Sequence, residues 1–195
     1  IMTNHHVIDG STEVRVIFED GRMYEANIIG SDRLTDIGLV KIVASNLIPI
    51  SIGNSDKMLV GDLAVAIGHP LTLGAAPTVT TGVVSALERR LDVGGDLMGS
   101  SVTLFGLIQT DAPITRGSSG GALINKNGEL IGITTAIATA DVGAEGLGFA
   151  VPINLALNIA EDLIKDGKIL HAFLGLLGAQ HFDTADDGAL SLIHI

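Results

Sequence analysis

Val14-Arg15-Val16-Ile17-Phe18, followed by Glu19-Asp20-Gly21-Arg22 and then Met23-Tyr24-Glu25-Ala26-Asn27-Ile28-Ile29, is the stretch that decides the fold class. Val14, Val16 and Phe18 recur at the period of two that one face of a strand requires. The acidic, glycine-containing turn then sends the chain back into a second apolar run, so the whole reads as a β-hairpin. The pattern returns at residues 37–43, 63–67, 79–87, 107–110, 122–124, 130–137 and 149–151, each bounded by Gly, Asn, Asp or Pro. Many short strands at close spacing predict an all-β sandwich or barrel.

One segment breaks the pattern. In residues 154–166, Leu155, Ile159 and Leu163 fall four apart with Ala156, Ala160 and Ile164 beside them, which predicts an amphipathic helix. Asn154 is placed to cap its first turn and Gly167 to end it. A new apolar segment then opens at Ala172-Phe173-Leu174-Gly175-Leu176-Leu177.

Composition agrees with a β-rich globular chain, because the 25 glycines are spread between apolar runs and do not form a repeat. A net charge of −11 with only 11 Lys and Arg leaves no basic surface to neutralise a phosphate backbone, so a nucleic-acid partner is not expected. No apolar run reaches the roughly 18 residues of a membrane span. With no cysteine, thiol catalysis, disulfides and most zinc sites are excluded.

The chemistry is concentrated in Gly117-Ser118-Ser119-Gly120-Gly121, directly before the apolar strand Ala122-Leu123-Ile124. A nucleophilic serine needs an exposed hydroxyl and backbone N–H groups converging on the site of the developing oxyanion, and glycine allows so tight a turn. The turn Gly117-Ser118-Ser119 offers the N–H groups of Gly117 and Ser119. Serine also needs a histidine base, and the base needs an acid to hold its tautomer. Six histidines compete for the role. Thr3-Asn4-His5-His6-Val7 follows what reads as a strand end, and Asp36 opens the strand Ile37-Gly38-Leu39-Val40. The resulting order of His, Asp, Ser is the chymotrypsin-type order.

Together, Thr3-Asn4-His5-His6-Val7, Ser31-Asp32-Arg33-Leu34-Thr35-Asp36-Ile37-Gly38-Leu39-Val40, and Gln109-Thr110-Asp111-Ala112-Pro113 leading into Arg116-Gly117-Ser118-Ser119-Gly120-Gly121 resemble the HtrA/Deg serine proteases. Gly128-Glu129-Leu130-Ile131-Gly132-Ile133 and Gly146-Leu147-Gly148-Phe149-Ala150-Val151-Pro152 continue the likeness, which covers nearly the whole chain. One departure is visible, since the family usually carries Asn where this chain has Ser118.

The resemblance implies a chymotrypsin-like double β-barrel with the triad His6, Asp36 and Ser119 in the cleft. It selects His6 over His5 and Asp36 over Asp32. It implies a trypsin-like protease domain over residues 1–153 whose first barrel lacks its leading strands, a linker helix over 154–170, and the start of a PDZ domain over 171–189. Ile114, Ala138 and Leu147 match the primary specificity pocket, which would take small or medium aliphatic side chains. Thr134 is placed with the substrate pocket and opens the strand, 134–137, that would pair with an extended substrate. Residues 89–106 match a regulatory loop, with Arg89 coupling it to the site. Unfolded or damaged polypeptides as substrates, a homotrimer, no cofactor and a cell-envelope location complete the expectation. Residues 190–195 resemble no part of the family and read as a translated transposon mosaic end. A first barrel without its leading strands would also present an unpaired edge and an open core.

Blander readings cover the other candidates. Adjacent His5 and His6, read on a strand, would point to opposite faces and make poor joint metal ligands. His69 and His171 read as surface or turn residues, and Asp32 and Asp111 as turn or cap acceptors. Two rivals to a broad endopeptidase remain: a chaperone-like or stress-sensing peptide-binding module, and a regulatory protease for one membrane protein.

Overall fold

A computed structural model describes residues 1–69, 76–93, 102–135 and 147–172, together with the backbone of 176–180 and 190–194. Strands β1 (Met2–Thr3), β2 (Val14–Ile17), β3 (Met23–Asp32) and β4 (Ile37–Lys41) form an open sheet in the order β1-β4-β3-β2. Strands β5 (Leu63–Gly68), β6 (Thr78–Val93), β7 (Val102–Thr110), β8 (Ala122–Ile124), β9 (Leu130–Thr135) and β10 (Gly148–Pro152) close into a six-stranded barrel in the order β10-β7-β6-β5-β8-β9. The chain is thus all-β, with one closed barrel and, where the resemblance implies a first barrel, an open four-stranded sheet.

The hairpin that opens the sequence reading is present. β2 and β3 pair from Val14↔Ala26 to Ile17↔Met23, and the turn closes through Phe18 N–H on Arg22 O at 2.9 Å, with Gly21 at φ +83°. Between sheet and barrel lies an apolar cavity of about 920 Å³, walled in part by Phe18, Leu47, Ile48, Ile52, Ile133 and Ile153.

The buried apolar side chains form two clusters. Ala66, Val84, Ile108, Leu123, Ile131 and Ala150 fill the barrel. Ile37 and Leu39 of the sheet join Leu107, Ile133, Val151 and Leu163 in a second cluster between barrel, sheet and helix. Every residue of β9 is buried, Ile131 among the side chains that fill the barrel and Leu130 and Ile133 in the cluster shared with sheet and helix. Its consecutive residues therefore serve two different neighbourhoods.

Helix α2 (Ile153–Asp166) buries Ile153, Ala156, Ile159, Ala160 and Leu163. It ends as expected, with Gly167 at φ +69° and its N–H on Leu163 O at 3.0 Å, the left-handed stop that glycine adopts without strain. The helix packs so closely on β3 that a Cβ at Gly30 would come within 2.9 Å of both Gly167 O and Leu163 Cδ2. Two helix expectations need correction. Asn154 does not cap: the helix starts one residue earlier, after Pro152, and the Asn154 amide reaches across to Asn54 Oδ1 at 3.0 Å. Its own N–H is met by Ser55 Oγ at 3.2 Å. Ile164, read beside the buried stripe, is 69% exposed.

Other boundaries move as well. His5 and His6 stand on a one-turn helix, α1 (His5–Ile8), not on a strand. The stretch expected as a loop from residue 89 to 106 is largely β-ladder, since β6 runs to Val93 and β7 starts at Val102; residues 94–101 lie outside the described residues. Bulges around Ala86 and Arg89, with Glu88 at φ +54°, take up the changes of register. The pairing strand is described only to Thr135. Beyond α2, the backbones of β11 (Leu176–Gln180) and β12 (Leu190–His194) pair antiparallel, from Leu176↔His194 to Gln180↔Leu190. Phe173, Leu174 and Gly175 of the expected PDZ opening, and residues 181–189, lie outside the described residues. No described helix is long and apolar enough to cross a membrane.

Candidate active site

Asp36 is fully buried, at the turn between β3 and β4, with φ +57°. Left-handed backbone is uncommon for a residue with a Cβ, though Asp tolerates it better than most. Neighbours hold the conformation: Asn4 Nδ2 donates to Asp36 O at 2.9 Å and His5 N–H donates to the same oxygen at 3.1 Å. The carboxylate is equally well met. His6 Nδ1 lies 2.9 Å from both Oδ1 and Oδ2, the His6 N–H donates to Oδ1 at 3.1 Å, and Thr135 Oγ1 donates to Oδ2 at 3.1 Å. Three donors surround a charge that would be costly to bury alone. A proton on Nδ1, shared with the carboxylate, leaves the Nε2 lone pair of His6 available as a base.

The serine turn is built from the opposite side of the cleft. Ser118 N–H donates to Thr115 O at 2.9 Å, closing a four-residue turn whose third residue, Gly117, has φ +90°. A left-handed third residue is the signature of a type II turn and turns the Arg116–Gly117 peptide over relative to type I. Gly120, at φ +80°, lies against Thr3 of β1, with no space for a side chain between them. Gly121 packs as tightly on Ile67 O. Strand β9 clasps the turn: Gly120 N–H donates to Thr134 O at 2.9 Å, and Thr134 N–H to Gly121 O at 3.0 Å. Thr134 and Thr135 therefore touch the serine turn and the acid respectively, while Thr3 and Asn4, just ahead of His6, touch Gly120 and Asp36.

Among the pocket candidates, Ile114 is buried against Gly148, where a Cβ would come within 2.8 Å of Ile114 Cδ1. Leu147, the residue before Gly148, is partly buried. Ala138 lies outside the described residues. Thr134 is fully buried, and its hydroxyl donates to Ser118 O at 2.5 Å, so its side chain supports the serine turn. Ser118 itself is buried against Gly68. Arg89 donates to Gln109 Oε1 at 2.8 Å across the β6–β7 ladder, on the exposed side of the barrel.

The bystanders find local work. Asp32 Oδ2 accepts from the Thr35 N–H at 3.0 Å and from its hydroxyl at 2.6 Å, the turn role expected of it. Its Oδ1 meets His171 Nε2 at 2.7 Å, tying the segment after α2 to the turn that presents Asp36. Asp111 Oδ1 accepts the Val83 N–H at 2.7 Å. His5 Nδ1 lies 2.8 Å from Ser31 Oγ, and the described residues contain no group of three or more His, Asp or Glu placed to hold a metal. Sequence reasoning missed Thr135, Asn4 and Thr3. The signal for Thr135 was its position next to Thr134 on a strand, which places the two hydroxyls on opposite faces.

The chain is similar to known proteins along most of its length. Residues 1–133 match the trypsin-like peptidase domain. The periplasmic pH-dependent serine endoprotease DegQ of Escherichia coli is 48% identical over 181 residues, covering 92% of this chain and 38% of that protein. A probable periplasmic serine protease do/HhoA-like of Haemophilus influenzae is 46% identical over 181 residues, covering 92% of this chain and 37% of its own length. A solved structure, the HtrA-type protease AlgW with a decapeptide, superposes with a TM-score of 0.83 at 35% identity, covering 98% of this chain and 58% of that one. The chain spans somewhat over a third of the length of these curated relatives. It belongs to the trypsin-like peptidase domain family, and within it to the HtrA/Deg serine proteases.

Proposed function

We propose that this chain carries the catalytic unit of a serine endopeptidase, with His6 as base, Asp36 as its orienting acid and Ser119 as nucleophile. The observation that carries the reading is the bond of His6 Nδ1 to both oxygens of the fully buried Asp36, 2.9 Å each. In this reading His6 Nε2 takes the hydroxyl proton of Ser119 as Oγ attacks the peptide carbonyl carbon. The tetrahedral oxyanion receives the N–H groups of Gly117 and Ser119, with Ser118 contributing backbone to the turn. Collapse breaks the C–N bond, the leaving amine takes the proton from His6, and water hydrolyses the acyl-enzyme by the reverse sequence. Protein groups and water supply every step.

Ile114 and Leu147, with Ala138, would form an uncharged pocket for a small or medium aliphatic side chain before the cut. The strand that begins with β9 would pair with an extended backbone, which favours unfolded or damaged polypeptides as substrates. The relatives' names, which describe periplasmic serine proteases, support a location in the cell envelope, and protein quality control there is the role proposed. A homotrimer, Arg89 as a regulatory contact and a PDZ domain opening within 171–189 belong to the same proposal.

A fluorophosphonate probe tests the chemistry, and denatured casein the breadth of substrate. The proposal expects labelling of the wild type that Ser119→Ala abolishes, and cleavage of denatured casein. Equal labelling of wild type and Ser119→Ala would leave only a peptide-binding role. Labelling without casein cleavage would restrict the enzyme to a regulatory substrate.

A further inference from the structure

Thr134 Oγ1 bonds to Ser118 O at 2.5 Å. That carbonyl belongs to the same peptide unit as the Ser119 N–H, and a trans peptide holds the two groups antiparallel in one plane, so fixing the direction of one fixes the other. The oxygen also accepts the Gly121 N–H at 3.1 Å. Each donor on a carbonyl draws amide electron density toward the oxygen and leaves the N–H of that unit a stronger donor.

Thr134 is well placed to hold this peptide still. Its own N–H and C=O are engaged by Gly121 O and Gly120 N, it is fully buried, and its β-branched side chain has few rotamers to explore. Three of its polar groups thus clasp the segment from Ser118 to Gly121.

We propose that Thr134 is a positioning residue for catalysis, its hydroxyl locking and polarising the Ser118–Ser119 peptide so that the Ser119 N–H is aimed at the developing oxyanion. This rests on the serine-peptidase reading above. It departs from the resemblance, which puts Thr134 in the substrate pocket, and it places the effect on the transition state and not on substrate affinity.

The test uses the full-length protein with Thr134→Val, which keeps the shape and loses the donor, and the pair Thr134→Ser and Thr134→Ala, which differ by the hydroxyl alone. Each is assayed for kcat and KM on a peptide substrate. Rates on a matched ester and thiono ester follow, since a thiono sulfur accepts hydrogen bonds poorly and reports little of the oxyanion donors. Loss of a whole oxyanion donor costs about 10²–10³ in kcat, so weakening one predicts a fall of about tenfold in Thr134→Val and Thr134→Ala, with KM little changed. The preference for ester over thiono ester should fall in parallel, and Thr134→Ser should stay near wild type. A wild-type kcat in Thr134→Val, equal losses in Thr134→Ser and Thr134→Ala, or a raised KM at unchanged kcat would each overturn the proposal. If Thr134→Val does not fold, the Ser/Ala pair decides. A wild type that neither turns over nor labels above Ser119→Ala would instead defeat the peptidase reading itself.

Discussion

Thr135 Oγ1 donates to Asp36 Oδ2 at 3.1 Å, a bond between residues 99 apart in sequence that joins the barrel to the open sheet. Both residues are buried. Thr135→Val leaves the carboxylate with fewer donors at unchanged shape, which predicts a loss of about 1–3 kcal/mol of stability. It also predicts slower labelling by a fluorophosphonate, because the acid that orients His6 is less firmly held. Thr135→Ser should restore both. Thermal melting and labelling rates measure the two effects, and a Thr135→Val protein unchanged in both would remove this bond from the account.

Asp36→Asn tests the tautomer argument. An amide can turn its NH2 toward His6 Nδ1, which would place the imidazole proton on Nε2 and remove the base. In a well-characterised triad protease this exchange lowers kcat by about 10⁴ with geometry retained, and the same order is expected here. Steady-state kinetics on a peptide substrate, alongside a circular dichroism spectrum showing retained fold, make the measurement. Activity within tenfold of wild type would be incompatible with His6 as an Asp36-oriented base.

Gly120→Ala tests the close approach of the serine turn to β1. The residue has φ +80° and lies against Thr3, so a Cβ meets both backbone strain and the Thr3 side chain. A loss of at least about 1–3 kcal/mol is expected, together with loss of labelling as the turn is displaced. Melting of Gly120→Ala beside Thr3→Ala/Gly120→Ala separates the two causes, since removing the Thr3 hydroxyl and methyl relieves only the collision.

The register of helix α2 gives a paired prediction. Leu163 is 0% exposed and Ile164 is 69% exposed, although adjacent in sequence and both apolar. Leu163→Ala should cost about 2–5 kcal/mol and Ile164→Ala within about 0.5 kcal/mol. Denaturant midpoints of the two variants decide it, and equal costs would mean that the helix is rotated from the arrangement described.

The difference between what could and could not be read in the sequence follows from how far a residue's partner lies along the chain. Val14, Val16 and Phe18 alternate within one hairpin, and Gly167 stops a helix through its own φ, so both were legible locally. The motifs around them single out His6, Asp36 and Ser119 as candidates, and of these the structure pairs His6 with Asp36. Asn154 was misread because its partners, Asn54 and Ser55, lie about a hundred residues earlier and outcompete a cap that propensity alone favours. That β6 continues past Leu87 through Arg89 to Val93 is not legible, because the bulges that extend the β6–β7 ladder, with Glu88 in a left-handed conformation, leave no pattern of period two. Thr134 and Thr135 gave only a pair of hydroxyls. Their separate destinations depend on β9 being buried on both faces.

Labelling of Ser119 by a fluorophosphonate tests the central claim most directly, because it requires the nucleophile, its base and the oxyanion site together without requiring any particular substrate. The account predicts that the wild type is labelled at Ser119, that His6→Ala and Asp36→Asn label far more slowly, and that Ser119→Ala is not labelled. Labelling of the wild type no faster than that of Ser119→Ala, in protein shown to be folded, would contradict it.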